Sequence, residues 1–208
     1  MSGPVGIVLG AGSSRRLGRP KQNLPLGDTT LLGCVMRDVE ASSLERVVLV
    51  VGGAASEAVA GLRLSRAEVV RNDSYAAGCA ASLLAGLDAA GPCDAVMLLL
   101  GDMPGVDATL IDSVGADWGT HRPWAAVTSY RDGLGHPLVF SRAAFPALRR
   151  LHGDKAVWKL VDLPSDRVRR IAIDRALPRD VDTWEDYEAV VGALSRGGTE
   201  RRSPARSA

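Results

Sequence analysis

Short apolar runs alternate along the first hundred residues with segments of helical spacing. The runs predict four strands, at Val5–Gly10, Arg46–Val51, Glu68–Arg71 and Ala95–Leu100. Because the runs are nearly continuous rather than strictly alternating, they are typical of strands that are covered on both faces. Three helices are predicted between them, over Thr30–Ser42, Ala55–Leu62 and Ala76–Ala90. The strand–helix–strand order predicts an α/β fold with a doubly wound, mostly parallel sheet.

After residue 105 the pattern is less regular and predicts a small irregular insertion. Helical spacing covers Thr109–Gly115 and strand patterns cover Ala125–Tyr130, Pro137–Phe140 and Val168–Ile173. Ser141 is expected to cap a helix that continues through Leu151, and a second short helix is expected after Asp154. The last helix is predicted over Thr183–Leu194, where Thr183-x-x-Asp186 forms a capping-box variant.

The chain length indicates one domain, which we place at residues 1–194. The remaining segment, residues 195–208, contains four Arg and one Glu and is otherwise small and polar. Such a composition cannot bury a core, and we expect a disordered basic tail.

Composition excludes several classes of function. With 25 Lys and Arg against 24 Asp and Glu, the net charge is +1, so no broad basic surface is expected for nucleic acid or for an anionic membrane. No run approaches the roughly 20 apolar residues of a membrane span, and no secretory signal is visible at the first residues. Three Cys are too few for a disulfide framework, and we expect a cytoplasmic protein. An anionic ligand must therefore be held by local groups.

The first candidate site is the Gly- and Arg-rich segment that directly follows the first predicted strand. It runs from Leu9 to Lys21 and reads LGAGSSRRLGRPK. It begins like a dinucleotide fingerprint, but Arg15 stands at the third glycine position, and it lacks the Gly-Lys-Ser/Thr of a Walker loop. Small residues let backbone N–H groups approach an anion, and Arg and Lys side chains bind phosphate oxygens. The cations are Arg15, Arg16, Arg19 and Lys21. The segment therefore predicts a triphosphate site, with a Gly-rich turn and solvated Arg as the alternative.

Two further segments follow predicted strands. Asp102 comes directly after Ala95–Leu100 and is followed by Pro104, a suitable position for a carboxylate that binds Mg²⁺. Asn72, Gly78 and Ser82 follow the third strand, and the Ser82 hydroxyl can bind a nucleotide. Open parallel sheets bind ligands at the carboxyl ends of their strands. If the first strand lies beside the fourth, the basic loop and Asp102 face each other across one crevice.

Together these segments resemble the MobA-like NTP-transferase family. The family signature L-x-A-G-x-S-x-R-M-G-x-x-K matches at every defined position except Leu17, which replaces Met. The matching residues are Leu9, Ala11, Gly12, Ser14, Arg16, Gly18 and Lys21. The second block resembles the family's D-x-P metal block, and the third its N-P-x-x-x-x-G-x-x-x-S-L block, with Asp73 in place of Pro. The resemblance covers about residues 5–190 and implies a Rossmann-like nucleotidyltransferase fold.

The resemblance implies a site and a cofactor. Arg16, Lys21 and Asp102 would be the catalytic residues, with magnesium held by Asp102 and completed by Asp180 or Asp182, unless these carboxylates cap the last helix. The residues implied to bind the nucleotide and the acceptor are Leu9, Gly10, Ala11, Gly12, Ser13, Ser14, Asn72, Gly78, Ser82 and His136. His136 lies in Gly135-His136-Pro137, which is similar to a cytidylyltransferase segment, and either contacts the acceptor or supports a loop.

The substrates follow from the same resemblance. The acceptor would be a molybdopterin-type phosphate, and the NTP would be CTP, because Ala11 stands at the position that separates L-A-A-G from the L-A-G-G associated with GTP. A molybdoenzyme or its maturation chaperone would be a further partner. The acceptor side departs from the family where 153–158 read GDKAVW instead of G-D-x-G-A-R. The alternatives are GTP, another phosphate acceptor (sugar, polyol or phospholactate), or a non-catalytic carrier of the molybdenum cofactor.

Overall fold

The computed structural model describes residues 3–200 except 13, 15, 54, 55, 154–156 and 163–165, and for 56, 58 and 196–200 only the backbone is described. Its strands are β1 Val5–Gly10, β2 Pro25–Leu26, β3 Thr29–Thr30, β4 Val47–Val51, β5 Ala67–Arg71, β6 Ala95–Leu100, β7 Ala125–Tyr130, β8 Gly133–Ser141 and β9 Val168–Ala172. Its helices are α1 Leu31–Ala41, α2 Ser56–Ala60, α3 Cys79–Ala90, α4 Ala108–His121, α5 Phe145–Leu148, α6 Trp158–Val161 and α7 Trp184–Glu200.

Seven strands form one sheet in the order β5-β4-β1-β6-β8-β7-β9, and β2 and β3 form a separate ribbon. β5, β4, β1 and β6 pair in parallel, while β8 runs antiparallel to both β6 and β7. The sheet is therefore mostly parallel, as predicted. β1 lies beside β6, with Leu9 opposite Leu100. The loop that follows β1 and Asp102, which follows β6, therefore begin at neighbouring strand ends, as the shared crevice requires.

Both faces of the sheet are covered, which explains the continuous apolar runs. On one face Val8 and Met97 pack with Leu32 of α1 and Trp118 of α4. On the other face Ile7 packs with Leu87 of α3, and the same cluster includes residues of α5 and α6. Alternate residues of one strand thus enter different cores, as expected for a doubly wound sheet.

A third apolar cluster positions the crevice. Leu17 and Leu24, on either side of Lys21, pack with Val181 and Val190, and Val181 is fully buried. Tyr187 of α7 also donates a hydrogen bond to the Pro25 carbonyl, 2.5 Å away. The start of α7 and the residues before it are therefore fixed against the segment that follows β1.

Several element ends differ from the predictions. α4 continues to His121 rather than ending at Gly115, because Trp118 follows Val114 by four residues and extends the same buried face. α3 begins at Cys79 rather than Ala76, because Gly78 has φ +106° and interrupts the helical backbone. A 3-10 turn over Tyr75–Ala77 precedes it.

The helix expected from Ser141 through Leu151 is wrong. The Ser141 hydroxyl donates to the carbonyl of Trp124 at 3.0 Å instead of capping a helix. A 3-10 turn over Arg142–Ala144 follows, and α5 ends at Leu148. Asp154, where a second short helix was expected to begin, lies outside the described residues, and α6 is the helix that follows it.

α7 extends to Glu200, so its backbone continues into the segment for which a disordered tail was expected. The organisation into one domain at residues 1–194 and a disordered basic tail at 195–208 remains a prediction. Within the part of the chain that is described, no helix is long and apolar enough to cross a membrane.

Candidate active site

The candidate site is a cavity of about 590 Å³ at the carboxyl ends of β1 and β6. Most of the residues predicted from the sequence lie in its wall, namely Leu9, Ala11, Gly12, Ser14, Arg16, Lys21, Gly78, Ser82, Asp102, His136 and Asp182. Gly10 and Asn72 lie behind the wall, and each is hydrogen-bonded to a wall residue. Ser13 and Arg15 lie outside the described residues. The structure thus brings the three sequence blocks together at one edge of the sheet.

The loop after β1 folds back so that Lys21 lies against Gly12. A Cβ added to Gly12 would be 3.3 Å from Lys21 Cε, which is closer than most real contacts. Ser14 has φ +49°, and its hydroxyl accepts a hydrogen bond from the Lys21 backbone N–H at 2.9 Å. The Ser14 hydroxyl is therefore used to close the loop.

Lys21 is a buried cation between two carboxylates. Its side chain is 8% exposed, and Nζ is 2.8 Å from Asp182 Oδ1 and forms a second, shorter ion pair with Asp102 Oδ2. Burial by itself lowers the pKa of Lys21, but the attraction of Asp102 and Asp182 outweighs it, so the pKa lies above its ordinary value. The ammonium stays charged at neutral pH and links two segments that are 80 residues apart in sequence.

The position of Asp182 is set by its neighbours. Val181 is buried in the third cluster, and its backbone N–H donates to the Asp102 carbonyl at 3.0 Å. Thr183 and Asp186 form the predicted capping box, with Asp186 N to Thr183 Oγ1 at 3.2 Å and Thr183 N to Asp186 Oδ2 at 3.0 Å. The side chain of Asp182 is thereby left to contact Lys21 and, at 3.5 Å, Arg16.

The donor set at Asp102 fits a divalent cation that prefers oxygen. Asp102 Oδ1 is buried and has no hydrogen-bond partner, while Oδ2 is paired with Lys21. Burial raises the pKa of the Asp102 carboxyl, Lys21 opposes the rise, and Asp180 and Asp182 add to it. Among the described residues no cluster of three or more His, Cys, Asp or Glu could hold a metal. One or two carboxylates suffice for Mg²⁺ when phosphates and water complete its shell.

The other described cations of the loop, Arg16 and Arg19, are exposed. The Arg16 side chain is 73% exposed, so it is accessible to an anion in the cavity. Arg19 instead lies over the ring of Trp184, 5.3 Å from its centre. Of the described loop cations, Arg16 and Lys21 line the cavity and Arg19 does not.

A hydrogen-bond chain orients the hydroxyl of Ser82. The Ser74 backbone N–H donates to Asn72 Oδ1 at 2.9 Å, and Asn72 Nδ2 donates to Ser82 Oγ at 3.0 Å. Both Asn72 and Ser82 are buried. Because Ser82 accepts from Asn72, its own proton can be donated to a ligand in the cavity.

His136 lies in the cavity wall on β8 and is 3% exposed. Its Nδ1 is 3.2 Å from the Leu98 carbonyl, and its ring meets Trp158 edge to face, with centres 5.6 Å apart. Burial lowers the pKa of His136 to about 4, against a smaller opposing effect of the Leu98 hydrogen bond. The imidazole is neutral at physiological pH.

Sequence reasoning missed several residues of the cavity wall, among them Gln22, Tyr75 and Trp158. Gln22 is 3% exposed and its Nε2 donates to the carbonyls of Gly10, at 2.9 Å, and Gly12, at 3.2 Å. The sequence offered one signal for its role, namely its position directly after Lys21 at the end of the loop motif. Tyr75 lies against Gly52 and Gly53: an added Cβ would be 2.8 Å from its ring at Gly52 and 3.3 Å from its hydroxyl at Gly53. It lines the cavity with Trp158. Nothing in the spacing of the aromatic residues predicts this.

The fold and the site together define an α/β protein in which a Gly-rich loop and a buried lysine lie beside two carboxylates at the carboxyl ends of parallel strands. Residues 6–170 match the model of the MobA-like NTP transferase domain, and the chain belongs to this family. It is a nucleotidyltransferase whose family binds nucleoside triphosphates and uses a divalent metal ion.

Relatives cover nearly the whole chain. The protein named nicotine blue oxidoreductase of Paenarthrobacter nicotinovorans is 31% identical, over 87% of this chain and 93% of its own. The crystal structure of Rv0371c from Mycobacterium tuberculosis H37Rv is 41% identical, with a TM-score of 0.81 over 92% of this chain and 98% of that one. A complex of Rv0371c with manganese is 38% identical, with a TM-score of 0.78 over 92% of this chain and 100% of that one.

Proposed function

We propose that this nucleotidyltransferase moves a cytidylyl group from CTP to the phosphate of a molybdopterin-type acceptor, with Mg²⁺ as its metal. The observation that carries the proposal is the Lys21 ammonium, buried between Asp102 and Asp182 beside the Gly-rich loop. The cavity next to it holds cations, an orphaned carboxylate oxygen and exposed apolar surface in one space.

In the proposed reaction an oxygen of the acceptor phosphate attacks the α-phosphorus of CTP. The bond from the α-phosphorus to the bridging oxygen breaks, and pyrophosphate leaves with that oxygen. A phosphate monoester is largely ionised at pH 7, since its second pKa is about 6, so no general base is required. Catalysis then rests on positioning and charge stabilisation.

Lys21 and Arg16 supply the charge that the triphosphate needs. Both line the cavity; Lys21 is buried between two carboxylates, while the Arg16 side chain is exposed. Backbone N–H groups of the loop from Gly10 to Ser14 would bind the β- and γ-phosphates. Asp102, with Asp182, would hold Mg²⁺, which supplies Lewis-acid stabilisation of the phosphate oxygens.

The preference for CTP is argued from Ala11. This residue is 6% exposed and lines the cavity just after β1 ends. Its methyl group crowds the space beside the base, so the smaller pyrimidine is favoured over a purine. The discrimination available from such a contact is about 10–200-fold.

The acceptor is assigned to the side of the cavity formed by Leu151, Gly153, Val157 and Trp158. These residues are apolar or small, which suits an organic ring more than a triphosphate. A molybdoenzyme or its maturation chaperone is proposed to receive the product.

The experiment uses CTP labelled with ³²P at the α or the γ position, with Mg²⁺ and molybdopterin. The proposal predicts α-label in a product of the mass of the cytosine dinucleotide and γ-label in pyrophosphate. Turnover only with GTP would contradict the base assignment. Turnover only with a sugar, polyol or lactate phosphate would contradict the acceptor. Binding of molybdopterin with no pyrophosphate release from any NTP would indicate a carrier and overturn the proposed reaction.

A further inference from the structure

His136 occupies a distinct part of the cavity, one strand beyond Asp102. In the sheet order β1-β6-β8 the loop follows β1, Asp102 follows β6, and His136 lies on β8. Because β8 runs antiparallel to β6, with Leu138 opposite Leu98, the early residue His136 lies towards the carboxyl end of β6. A ligand that extends from Asp102 away from the phosphate loop therefore meets His136.

The hydrogen bond to Leu98 fixes which ring nitrogen of His136 carries the proton. A backbone carbonyl only accepts, so the 3.2 Å contact requires Nδ1–H. A neutral imidazole has one N–H, so Nε2 carries a lone pair. Burial keeps the ring neutral, since the pKa of His136 is lowered to about 4. No hydrogen bond reaches Nε2 from the residues that the structure describes.

The surroundings of the ring leave Nε2 open to a ligand. Trp158 meets the ring at an interplanar angle of 87°, and Leu98 and Val157 are apolar residues of the same cavity. Nε2 is not one of the fully buried polar atoms without a partner among the described residues, so it is reached from the cavity, where a donor group of a ligand can bind it.

We infer that His136 is a specificity-determining residue whose Nε2 accepts a hydrogen bond from an N–H or O–H group of the acceptor molecule. The inference rests on the proposed function, since it places the acceptor in this half of the cavity. This contact selects acceptor substrates that carry a neutral hydrogen-bond donor several ångströms from their phosphate, such as the ring N–H of a heterocycle. A substrate whose ring presents only hydrogen-bond acceptors to Nε2 is rejected.

The test compares two variants that separate the role of Nδ1 from the role of Nε2. In His136→Asn the side-chain amide can still donate to Leu98, but nothing reaches the position of Nε2. In His136→Gln the amide oxygen can reach that position and accept. The dissociation constants of molybdopterin and of CTP are measured by calorimetry for the full-length wild type, both variants and the exposed-site control His121→Asn.

The inference predicts that His136→Asn weakens molybdopterin binding about tenfold, with CTP binding and kcat at saturating acceptor little changed. His136→Gln recovers much of the loss, and His121→Asn matches the wild type. A role limited to supporting the loop predicts the reverse order, because Asn keeps the Leu98 bond better than Gln. Equal acceptor affinity in the wild type and His136→Asn overturns the inference and leaves the proposed function standing.

A second measurement covers the case in which a variant folds poorly. The chain has three His, so ¹⁵N-histidine spectra of the wild type can be assigned by the signal that His136→Gln removes. The expected state is the neutral Nδ1–H tautomer, and molybdopterin but not CTP shifts the Nε2 resonance. An Nε2–H tautomer, or no shift in an enzyme that turns over molybdopterin, overturns the inference. A wild type that neither binds nor turns over molybdopterin overturns the proposed acceptor and this assignment with it.

Discussion

Gln22 fixes the shape of the loop after β1 through one buried amide. Its Nε2 reaches the carbonyls of both Gly10 and Gly12, so the backbone N–H groups between them are held in place. The sequence places Gln22 beside Lys21 but gives no means to see these contacts, because they depend on the loop folding back on itself. Buried polar groups next to a motif are therefore the residues that sequence reasoning most easily misses.

Replacing Gln22 by Leu keeps the volume of the side chain and removes its donor. The carbonyls of Gly10 and Gly12 both lose a hydrogen-bond donor, and the one at Gly10 is buried. We therefore expect the free energy of unfolding to fall by about 1–3 kcal/mol. The KM for the NTP should rise because the loop loses its shape. Denaturant unfolding and steady-state kinetics measure the two effects. Unchanged stability together with an unchanged KM would show that the amide does not hold the loop.

Ala11 tests base selection at the scale of one methyl group. Ala11→Gly should relax the preference for CTP towards GTP by up to about 10–200-fold, because it removes the atom that crowds a purine. The measurement is kcat/KM for both nucleotides in the parent and the variant, at saturating acceptor. An unchanged ratio would contradict the steric account, and a parent that already prefers GTP would contradict the cytidylyl assignment.

The lowered pKa of His136 links this residue to stability. Between pH 6.5 and 4 the unfolded chain binds a proton at this histidine while the folded protein does not, so stability falls as the pH falls. The loss relative to pH 7 is about 2 kcal/mol at pH 5 and about 3 kcal/mol at pH 4. Unfolding curves of the wild type and His136→Gln should therefore converge on acidification. A constant difference from pH 7 to pH 4.5 would show that His136 is not buried in its neutral form.

At the scale of elements, strands were predicted better than helices. β1, β6 and β7 have the predicted ends because a buried strand needs a continuous apolar run, which the sequence displays directly. The end of α4 was missed because Gly115 resembles a stop signal, whereas the decisive residue is the buried Trp118 one turn later. Helix ends here depend on tertiary packing and loop contacts that spacing does not contain.

The last helix offers a test of where packing ends. Tyr187, Val190 and Val191 pack in the third cluster, while Leu194 is 43% exposed. Deleting residues 195–208 should change the free energy of unfolding by less than about 0.5 kcal/mol and leave activity unchanged. Val190→Ala is the matched comparison and should cost about 1.5 kcal/mol, the value of two buried methyl groups. A truncation that costs as much as Val190→Ala would mean that the deleted segment packs on the domain.

For the whole molecule, the sheet order brings the site together. A protein of net charge +1 has no general attraction for a triphosphate, so the cations must be concentrated where two strand ends meet. The adjacency of β1 and β6 does this, and the packing of Val181 adds Asp182 from the far end of the chain. From the sequence, the first part was expected only on the condition that β1 lies beside β6, and the structure meets that condition. The sequence left the role of Asp182 open between metal binding and helix capping. The structure pairs this carboxylate with Lys21 and forms the capping box from Thr183 and Asp186, and metal binding by Asp182 remains a prediction.

The central claim is that Asp102, paired with Lys21, is the carboxylate on which metal-dependent nucleotidyl transfer depends. The measurement is the rate of pyrophosphate release with Mg²⁺ and saturating substrates for the wild type, Asp102→Asn and the control Asp174→Asn, whose carboxylate is 89% exposed. Asn keeps the shape of the side chain and removes its charge, and Asp182 remains as a partner for Lys21. The account predicts a loss of at least about 100-fold in Asp102→Asn, with the folded state retained, and wild-type activity in Asp174→Asn. Near-normal metal-dependent turnover in a folded Asp102→Asn protein would contradict it.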